Sequence, residues 1–84
     1  MNEVVIFTTR WCPFCIRAKA LLDRKAVVYQ EVAVDGDAAM RQEMAEAAGA
    51  TSVPQIWIGG QHIGGCDQLY GLERSGGLDT LLAC

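Results

Sequence analysis

The sequence predicts an α/β fold in which a four-stranded mixed sheet carries helices on both faces. Apolar, β-branched runs alternate with segments of helical periodicity in the first half of the chain, and a glycine hairpin joins two short strands in the second half. The predicted order is β-α-β-α-β-β-α. A right-handed crossover makes the first two strands parallel, and the hairpin adds antiparallel strands.

The first half of the chain supplies two strands and the helix between them. Residues 4–7 form a short β-branched and aromatic run, Val-Val-Ile-Phe, which predicts the first strand. Residues 13–25 predict an amphipathic helix whose apolar stripe consists of Cys15, Ala18, Leu21 and Leu22. Residues 27–34 read as a buried strand.

The second half supplies a helix, a hairpin and a helical tail. Asp37 caps a helix over residues 38–48 that Gly49 ends. Strands over residues 53–58 and 61–63 flank the turn Gly59-Gly60. A helical tail over residues 67–75 and 78–83 is broken at Gly76-Gly77.

Length and composition limit the classes of protein that remain. At 84 residues, the chain is expected to form one domain, residues 1–84, and to be a monomer. Its net charge of −3 and the lack of a basic stripe argue against nucleic acid or a membrane surface as a partner. The N-terminus has no basic segment, and its first apolar run is too short for a signal peptide, so we expect a cytoplasmic protein.

A Cys-x-x-Cys pair lies between the first strand and the first helix. Pro13 is suited to the first helical position, which places Cys12 at the N-cap. There the sulfur can accept the backbone N–H groups of Phe14 and Cys15 and faces the positive end of the helix dipole, which favours a reactive thiolate. Cys15 lies one turn on, within reach of a disulfide. The pair is therefore a candidate redox site.

The cysteines could instead have a structural role or bind a metal. A structural disulfide or simple core packing is possible for any cysteine pair in a short chain. Zinc is the stronger rival, because Cys12, Cys15, His62 and Cys66 formally make a four-ligand set. Small zinc modules use the metal in place of a core, however, whereas this chain is 51% hydrophobic. Redox chemistry is therefore favoured, and no metal site is predicted.

A second candidate site is the start of the predicted tail helix, Gly64-Gly65-Cys66-Asp67. Two glycines permit a close approach, and the N–H groups of Cys66 and Asp67 can bind a carboxylate. Asp67 could also pair with an amino group of the same ligand, or simply cap the helix.

Three separated motifs resemble the glutaredoxin family, specifically its short dithiol type on the thioredoxin-like fold. They are Cys12-Pro13-Phe14-Cys15, Ser52-Val53-Pro54 and Gly64-Gly65-Cys66-Asp67, which are close to the family patterns CPYC, TVP and GG-x-D. The resemblance runs from about residue 4 to residue 82. Phe14 replaces the usual Tyr, Ser52 replaces Thr, and Thr9 stands where the family often has Lys.

The resemblance implies a glutathione-dependent thiol-disulfide oxidoreductase. Its catalytic residues would be Cys12 and Cys15, and Pro54 would follow a cis bond beside the active-site sulfur. The glutathione-binding residues it implies are Phe14, Ser52, Val53, Pro54, Gly65, Cys66 and Asp67. Arg10 and Arg41 are the candidates for the glycine carboxylate of glutathione, in place of the family lysine. Cys66 is not expected to be catalytic, and Cys84 has no assigned role.

The implied partners are glutathione, as co-substrate, and disulfide-containing or glutathionylated proteins. Protein disulfides would be reduced by a dithiol route and glutathione mixed disulfides by a monothiol route. No permanently bound cofactor is expected. The remaining alternatives are a redoxin reduced by thioredoxin reductase and a zinc or iron–sulfur module. Trp11 before Cys12 resembles thioredoxin, but Pro13 directly after Cys12 and the Gly65-Cys66-Asp67 site favour glutaredoxin.

Overall fold

A computed structural model describes residues 1–83 and contains four strands and four helices in that range. The strands are β1 (Val4–Thr8), β2 (Tyr29–Ala33), β3 (Gln55–Ile58) and β4 (Gln61–Gly64). The helices are α1 (Pro13–Arg24), α2 (Ala38–Ala48), α3 (Cys66–Ser75) and α4 (Gly77–Leu82). The predicted order of elements is confirmed, including the break in the helical tail. Cys84 lies outside the described residues.

The four strands form one mixed sheet in the order β2-β1-β3-β4. Strand β1 runs parallel to β2 and antiparallel to β3, and β3 is antiparallel to β4. Because Phe7 pairs with Gln55, the chain that leaves β1 and the chain that enters β3 lie at the same end of the sheet. This register brings the segment before α1 next to the segment that ends at Pro54.

The core lies between the sheet and the helices that cover it. The predicted stripe of α1 is confirmed, since Cys15, Ala18, Leu21 and Leu22 are all buried. Apolar residues of the central strands and of the tail are buried as well, namely Ile6, Ile56, Leu69 and Leu78. Tail helices α3 and α4 therefore complete the core. Within residues 1–83, no helix combines the length and apolarity that crossing a bilayer would require.

The prediction of a buried strand over residues 27–34 was wrong in two respects. Strand β2 is shorter and lies at the edge of the sheet, with most of its residues exposed or half-buried. Val27 lies in the turn that follows α1, where its N–H donates to the carbonyl of Leu22 over 3.0 Å. Val28 is 89% exposed. The run of apolar residues resembled a central strand, but β2 pairs with β1 alone and forms the edge of the sheet.

Candidate active site

The N-terminus of α1 carries Cys12 at the N-cap position, as predicted. The backbone N–H of Cys15 donates to Cys12 Sγ over 3.3 Å. The second expected donor, the N–H of Phe14, makes no such bond. Since Pro13 is the first helical residue, Cys15 is the third, and the cap sulfur reaches that third N–H alone.

The two cysteines of the motif differ in their surroundings. Cys12 is partly exposed, whereas Cys15 is completely buried, and both are free thiols. Burial, followed by the hydrogen bond with the sulfur of Cys12, raises the pKa of Cys15 to about 12. A backbone hydrogen bond with Thr9 and the charge of Lys19 act in the opposite direction. Cys15 is thus a protected thiol beside an accessible one.

A groove with a volume of about 210 Å³ lies beside Cys12. Its walls come from α1, from the loop before β3 and from the start of α3. The residues that line it are Phe14, Ser52, Val53, Pro54, Gly65, Cys66, Asp67 and Gln68. The structure therefore brings together all seven residues to which the sequence resemblance assigned glutathione binding.

The loop before β3 connects the sulfur to this groove. The Val53–Pro54 peptide bond is cis, as the resemblance implied. The thiol of Cys12 donates to the carbonyl oxygen of Val53 over 3.6 Å. A ligand extended along Val53 would therefore have its own backbone groups next to the reactive sulfur.

Gly65 allows α3 to approach that loop closely. A Cβ atom at this position would lie 3.2 Å from the backbone oxygen of Pro54, tighter than an ordinary van der Waals contact. The N–H of Gly65 donates a hydrogen bond to Gln68 Oε1 over 2.9 Å. Gln68 also lines the groove, and the sequence analysis missed it. The signal was available, because a glutamine three residues after an N-cap can accept the backbone N–H of the N-cap residue, which is one half of a capping box.

The first turn of α3 presents one charged and one apolar side chain to the groove. Asp67 is exposed. Cys66 is buried, and burial raises the pKa of its thiol. The N–H groups of the first turn of a helix have no partner within the helix and carry partial positive charge. This end of the groove can therefore hold a carboxylate through backbone N–H groups and an ammonium group through Asp67.

The two arginines proposed for the glycine carboxylate do not line the groove. Arg10 lies in a separate polar pocket with Thr8, Lys19 and Glu31, and its backbone N–H donates to Asp35 over 2.7 Å. The guanidinium of Arg41 donates to the carbonyl of Thr51 over 3.0 Å. Arg41 therefore contacts the residue directly before Ser52, which lines the groove.

A different arginine lies next to Phe14. The guanidinium carbon of Arg17 is 5.9 Å from the centre of the Phe14 ring and 5.6 Å from that of Tyr70. The hydroxyl of Tyr70 donates to the carbonyl of Arg17 over 3.0 Å. Only the fold shows that α3 brings Tyr70 against Arg17.

The four residues of the zinc alternative do not come together. A ring nitrogen of His62 is 2.8 Å from Gln55 Oε1, and the ring lies 4.7 Å from that of Trp57, outside the groove. Across residues 1–83, no group of three or more His, Cys, Asp or Glu side chains is placed to hold a metal ion.

Comparison with known proteins is consistent with this geometry. The family model described as Glutaredoxin matches residues 4–63. Among curated proteins, the chain is 61% identical to a glutaredoxin of Pseudomonas aeruginosa, with 99% of each chain covered. It is 57% identical to glutaredoxin 3 of Escherichia coli, with 98% of this chain and 99% of the relative covered. A solved buckwheat glutaredoxin–glutathione complex matches with a TM-score of 0.89 and 34% identity, covering 96% of this chain and 76% of the other.

Proposed function

Because this chain belongs to the glutaredoxin family of thiol-disulfide oxidoreductases, we propose that it uses glutathione to reduce glutathione mixed disulfides and protein disulfides. The observation that carries the proposal is the position of the Cys12 sulfur. It is partly exposed at the N-terminus of a helix and hydrogen-bonded to the carbonyl of Val53, a residue that lines the groove. Glutathione is a co-substrate, and no resident cofactor is needed.

The groove suits glutathione in the order of its groups. The cysteine of the tripeptide lies along Val53, so that its sulfur reaches Cys12. The γ-glutamyl end carries a carboxylate and an ammonium group, which are bound by the first turn of α3 and by Asp67 respectively. The buckwheat relative, whose overall fold is the same, was solved as a glutathione complex, which supports this occupant.

The monothiol route needs Cys12 alone. Its thiolate attacks the glutathione sulfur of a mixed disulfide, the original S–S bond breaks, and the protein leaves as a thiolate that takes a proton from water. Cys12 now carries the glutathionyl group in the groove. The thiolate of a second glutathione attacks the sulfur of this glutathionyl group, which releases oxidised glutathione and restores Cys12.

The dithiol route adds Cys15. After Cys12 has formed a mixed disulfide with one sulfur of a protein disulfide, the sulfur of Cys15 attacks Cys12 Sγ, and its proton passes to the protein sulfur that leaves. The protein leaves with both of its sulfurs reduced, and the Cys12–Cys15 disulfide remains. Two glutathione molecules then reduce that bond and become oxidised glutathione. Cys15 begins one helical turn from its target, with its N–H already bonded to Cys12 Sγ.

The proposal is tested by turnover of a small substrate, the mixed disulfide of glutathione and 2-mercaptoethanol. With glutathione, glutathione reductase and NADPH, we expect catalysis well above the uncatalysed exchange, and loss of that catalysis in Cys12→Ser. The same substrate with thioredoxin reductase in place of the glutathione system should show no catalysis. Turnover supported only by thioredoxin reductase would favour the redoxin alternative.

A further inference from the structure

Among the amide side chains of residues 1–83, that of Gln55 alone is buried. Gln55 is the first residue of β3 and is 4% exposed. Burial of an amide is unfavourable unless its N–H groups and its oxygen both find hydrogen-bond partners. The partners of Gln55 therefore show what this buried amide holds in place.

The amide of Gln55 joins the loop before β3 to the last strand. Its Nε2 donates to the carbonyl oxygen of Ser52 over 3.0 Å and to the Ser52 hydroxyl oxygen over 3.3 Å. Its Oε1 lies 2.8 Å from Nε2 of His62, a residue of β4. Ser52 lines the groove, whereas Gln55 and His62 do not. The pair is therefore hydrogen-bonded to the groove wall at Ser52.

The backbone carbonyl of Ser52 fixes the direction of these hydrogen bonds. A carbonyl only accepts, so the amide of Gln55 must turn its NH2 group toward Ser52 and its oxygen toward His62. The amide oxygen is also only an acceptor, so His62 must donate to it through Nε2–H. The neutral ring of His62 therefore carries its proton on Nε2. A proton on Nδ1 alone would leave two acceptors facing each other.

We propose that Gln55 and His62 are positioning residues, which hold the loop at Ser52 in place for glutathione and do not touch glutathione themselves. This inference rests on the proposed function and adds two residues to it. Val53 directly follows Ser52, and its carbonyl accepts the thiol of Cys12 over 3.6 Å. A shift of the Ser52 carbonyl would therefore move the wall along which the tripeptide lies.

The Nε2–H donor of His62 keeps the amide of Gln55 in this orientation. Without that donor, Oε1 would be buried with no partner, which favours rotation of the amide and loss of its hydrogen bond to the Ser52 carbonyl. The ring of His62 also has a packing contact, because its centre lies 4.7 Å from that of the Trp57 ring. A test of the proposal has to separate the hydrogen bond from this packing contact.

Two substitutions of His62 separate the two contacts. His62→Phe keeps an aromatic ring beside Trp57 but has no donor, whereas His62→Gln loses the ring and places an amide N–H near the position of Nε2. Turnover of the small 2-mercaptoethanol mixed disulfide is measured at varied glutathione. In His62→Phe we expect KM for glutathione to rise about three- to tenfold and kcat to stay within about twofold of wild type. In His62→Gln both should stay within about twofold.

Gln55→Met removes the amide and leaves an unbranched side chain of similar size at the buried position. It should raise KM for glutathione at least as much as His62→Phe does. Because His62 acts through this amide, the double variant Gln55→Met, His62→Phe should match Gln55→Met alone within about twofold. If the two residues acted independently, their effects on KM would multiply.

Gln61→Phe is the matched control. It places the same aromatic side chain on β4, at an exposed position that does not line the groove. Neighbouring residues of a strand point to opposite faces of the sheet, so this side chain lies on the other face from His62. KM for glutathione should equal that of the wild-type protein.

The tautomer of His62 gives a measurement that does not depend on turnover. Nuclear magnetic resonance shifts of the two ring nitrogens distinguish a proton on Nε2 from a proton on Nδ1 in the neutral ring. In the reduced wild-type protein we expect the Nε2–H form, because Oε1 of Gln55 is the partner of that nitrogen.

A wild-type KM in His62→Phe or in Gln55→Met would overturn the positioning role. So would an equal rise in His62→Phe and His62→Gln, a comparable rise in Gln61→Phe, multiplied effects in the double variant, or a neutral His62 ring with its proton on Nδ1. Failure of the proposed function has a different signature, since the wild-type protein would then show no glutathione-dependent turnover of the small disulfide, whatever the tautomer of His62.

Discussion

The backbone N–H of Cys15 donates a hydrogen bond to the sulfur of Cys12 over 3.3 Å, while the Cys15 thiol itself is completely buried. One residue therefore supports the exposed sulfur with its backbone and keeps its own sulfur away from solvent. Burial, followed by a separate side-chain hydrogen bond between the two sulfurs, raises the pKa of the Cys15 thiol to about 12. This geometry supports the proposed roles of Cys12 as the attacking thiol and Cys15 as the resolving thiol.

Alkylation of the reduced protein at pH 7.5 should modify Cys12 and spare Cys15 and Cys66. With a pKa of about 12, fewer than about one Cys15 in ten thousand is a thiolate at this pH. Cys66 is buried, and its pKa is also raised by burial. Peptide mapping after brief treatment with iodoacetamide measures the outcome. In urea all three should react, and comparable labelling of Cys12 and Cys15 in the folded protein would contradict the asymmetry.

The resemblance to glutaredoxins predicted the residues of the groove, because they fall in three local motifs. Each of its three segments is a short motif whose backbone geometry depends on its own proline or glycine residues. The parallel and antiparallel pairing of the strands then brings the segments together. The N-cap position of Cys12 follows in the same way from Pro13, since a proline in the first helical position fixes where the helix begins.

The errors concern contacts that link distant parts of the chain. The exposure of strand β2 depends on its place at the sheet edge, which its own composition does not reveal. The ammonium of Lys19 binds Glu31 over 2.9 Å, and Glu31 also accepts a hydrogen bond from the hydroxyl of Thr8. Partners of this kind are separated by a dozen or more residues, so helical periodicity carries no information about them.

Glu31→Gln should make the free energy of unfolding less dependent on pH between pH 6 and pH 3. Hydrogen bonds from Thr8 and then from Lys19 lower the pKa of Glu31 below its usual 4.5. A carboxyl with a lowered folded-state pKa stabilises the fold above its unfolded pKa, and this contribution is lost as pH falls through the folded value. Urea unfolding from pH 6 to pH 3 should therefore show a steeper loss in wild type than in Glu31→Gln. Parallel profiles would contradict the assignment.

Asp67→Asn should weaken the use of glutathione without affecting the fold. Loss of one charge-assisted contact of about 1–2 kcal/mol predicts that KM for glutathione rises about five- to thirtyfold. The matched control is Glu43→Gln, which removes an exposed carboxylate from α2, outside the groove. Steady-state kinetics with varied glutathione distinguishes the two variants. An unchanged KM in Asp67→Asn would show that the charge of Asp67 does not contribute to glutathione binding.

Gly65→Ala tests the close approach between α3 and the loop before β3. The added Cβ would lie 3.2 Å from the backbone oxygen of Pro54, so the loop must shift by a few tenths of an ångström. We expect a higher KM for glutathione with a small loss of stability. Gly71→Ala is the control, because its nearest neighbour would be the end of the Arg74 side chain at 3.9 Å and alanine favours a helix. It should bind glutathione normally and unfold at an equal or higher temperature.

Cys15→Ser should separate the two proposed routes. Reduction of glutathione mixed disulfides should persist, because glutathione itself can release the adduct on Cys12. Reduction of a protein disulfide such as that of insulin should fall sharply, since no second thiol resolves the mixed disulfide. The serine N–H can still donate to Cys12 Sγ, so the nucleophile keeps its backbone partner. If both activities disappear while circular dichroism shows a folded protein, glutathione does not resolve the adduct on Cys12, and the monothiol route is wrong for this chain.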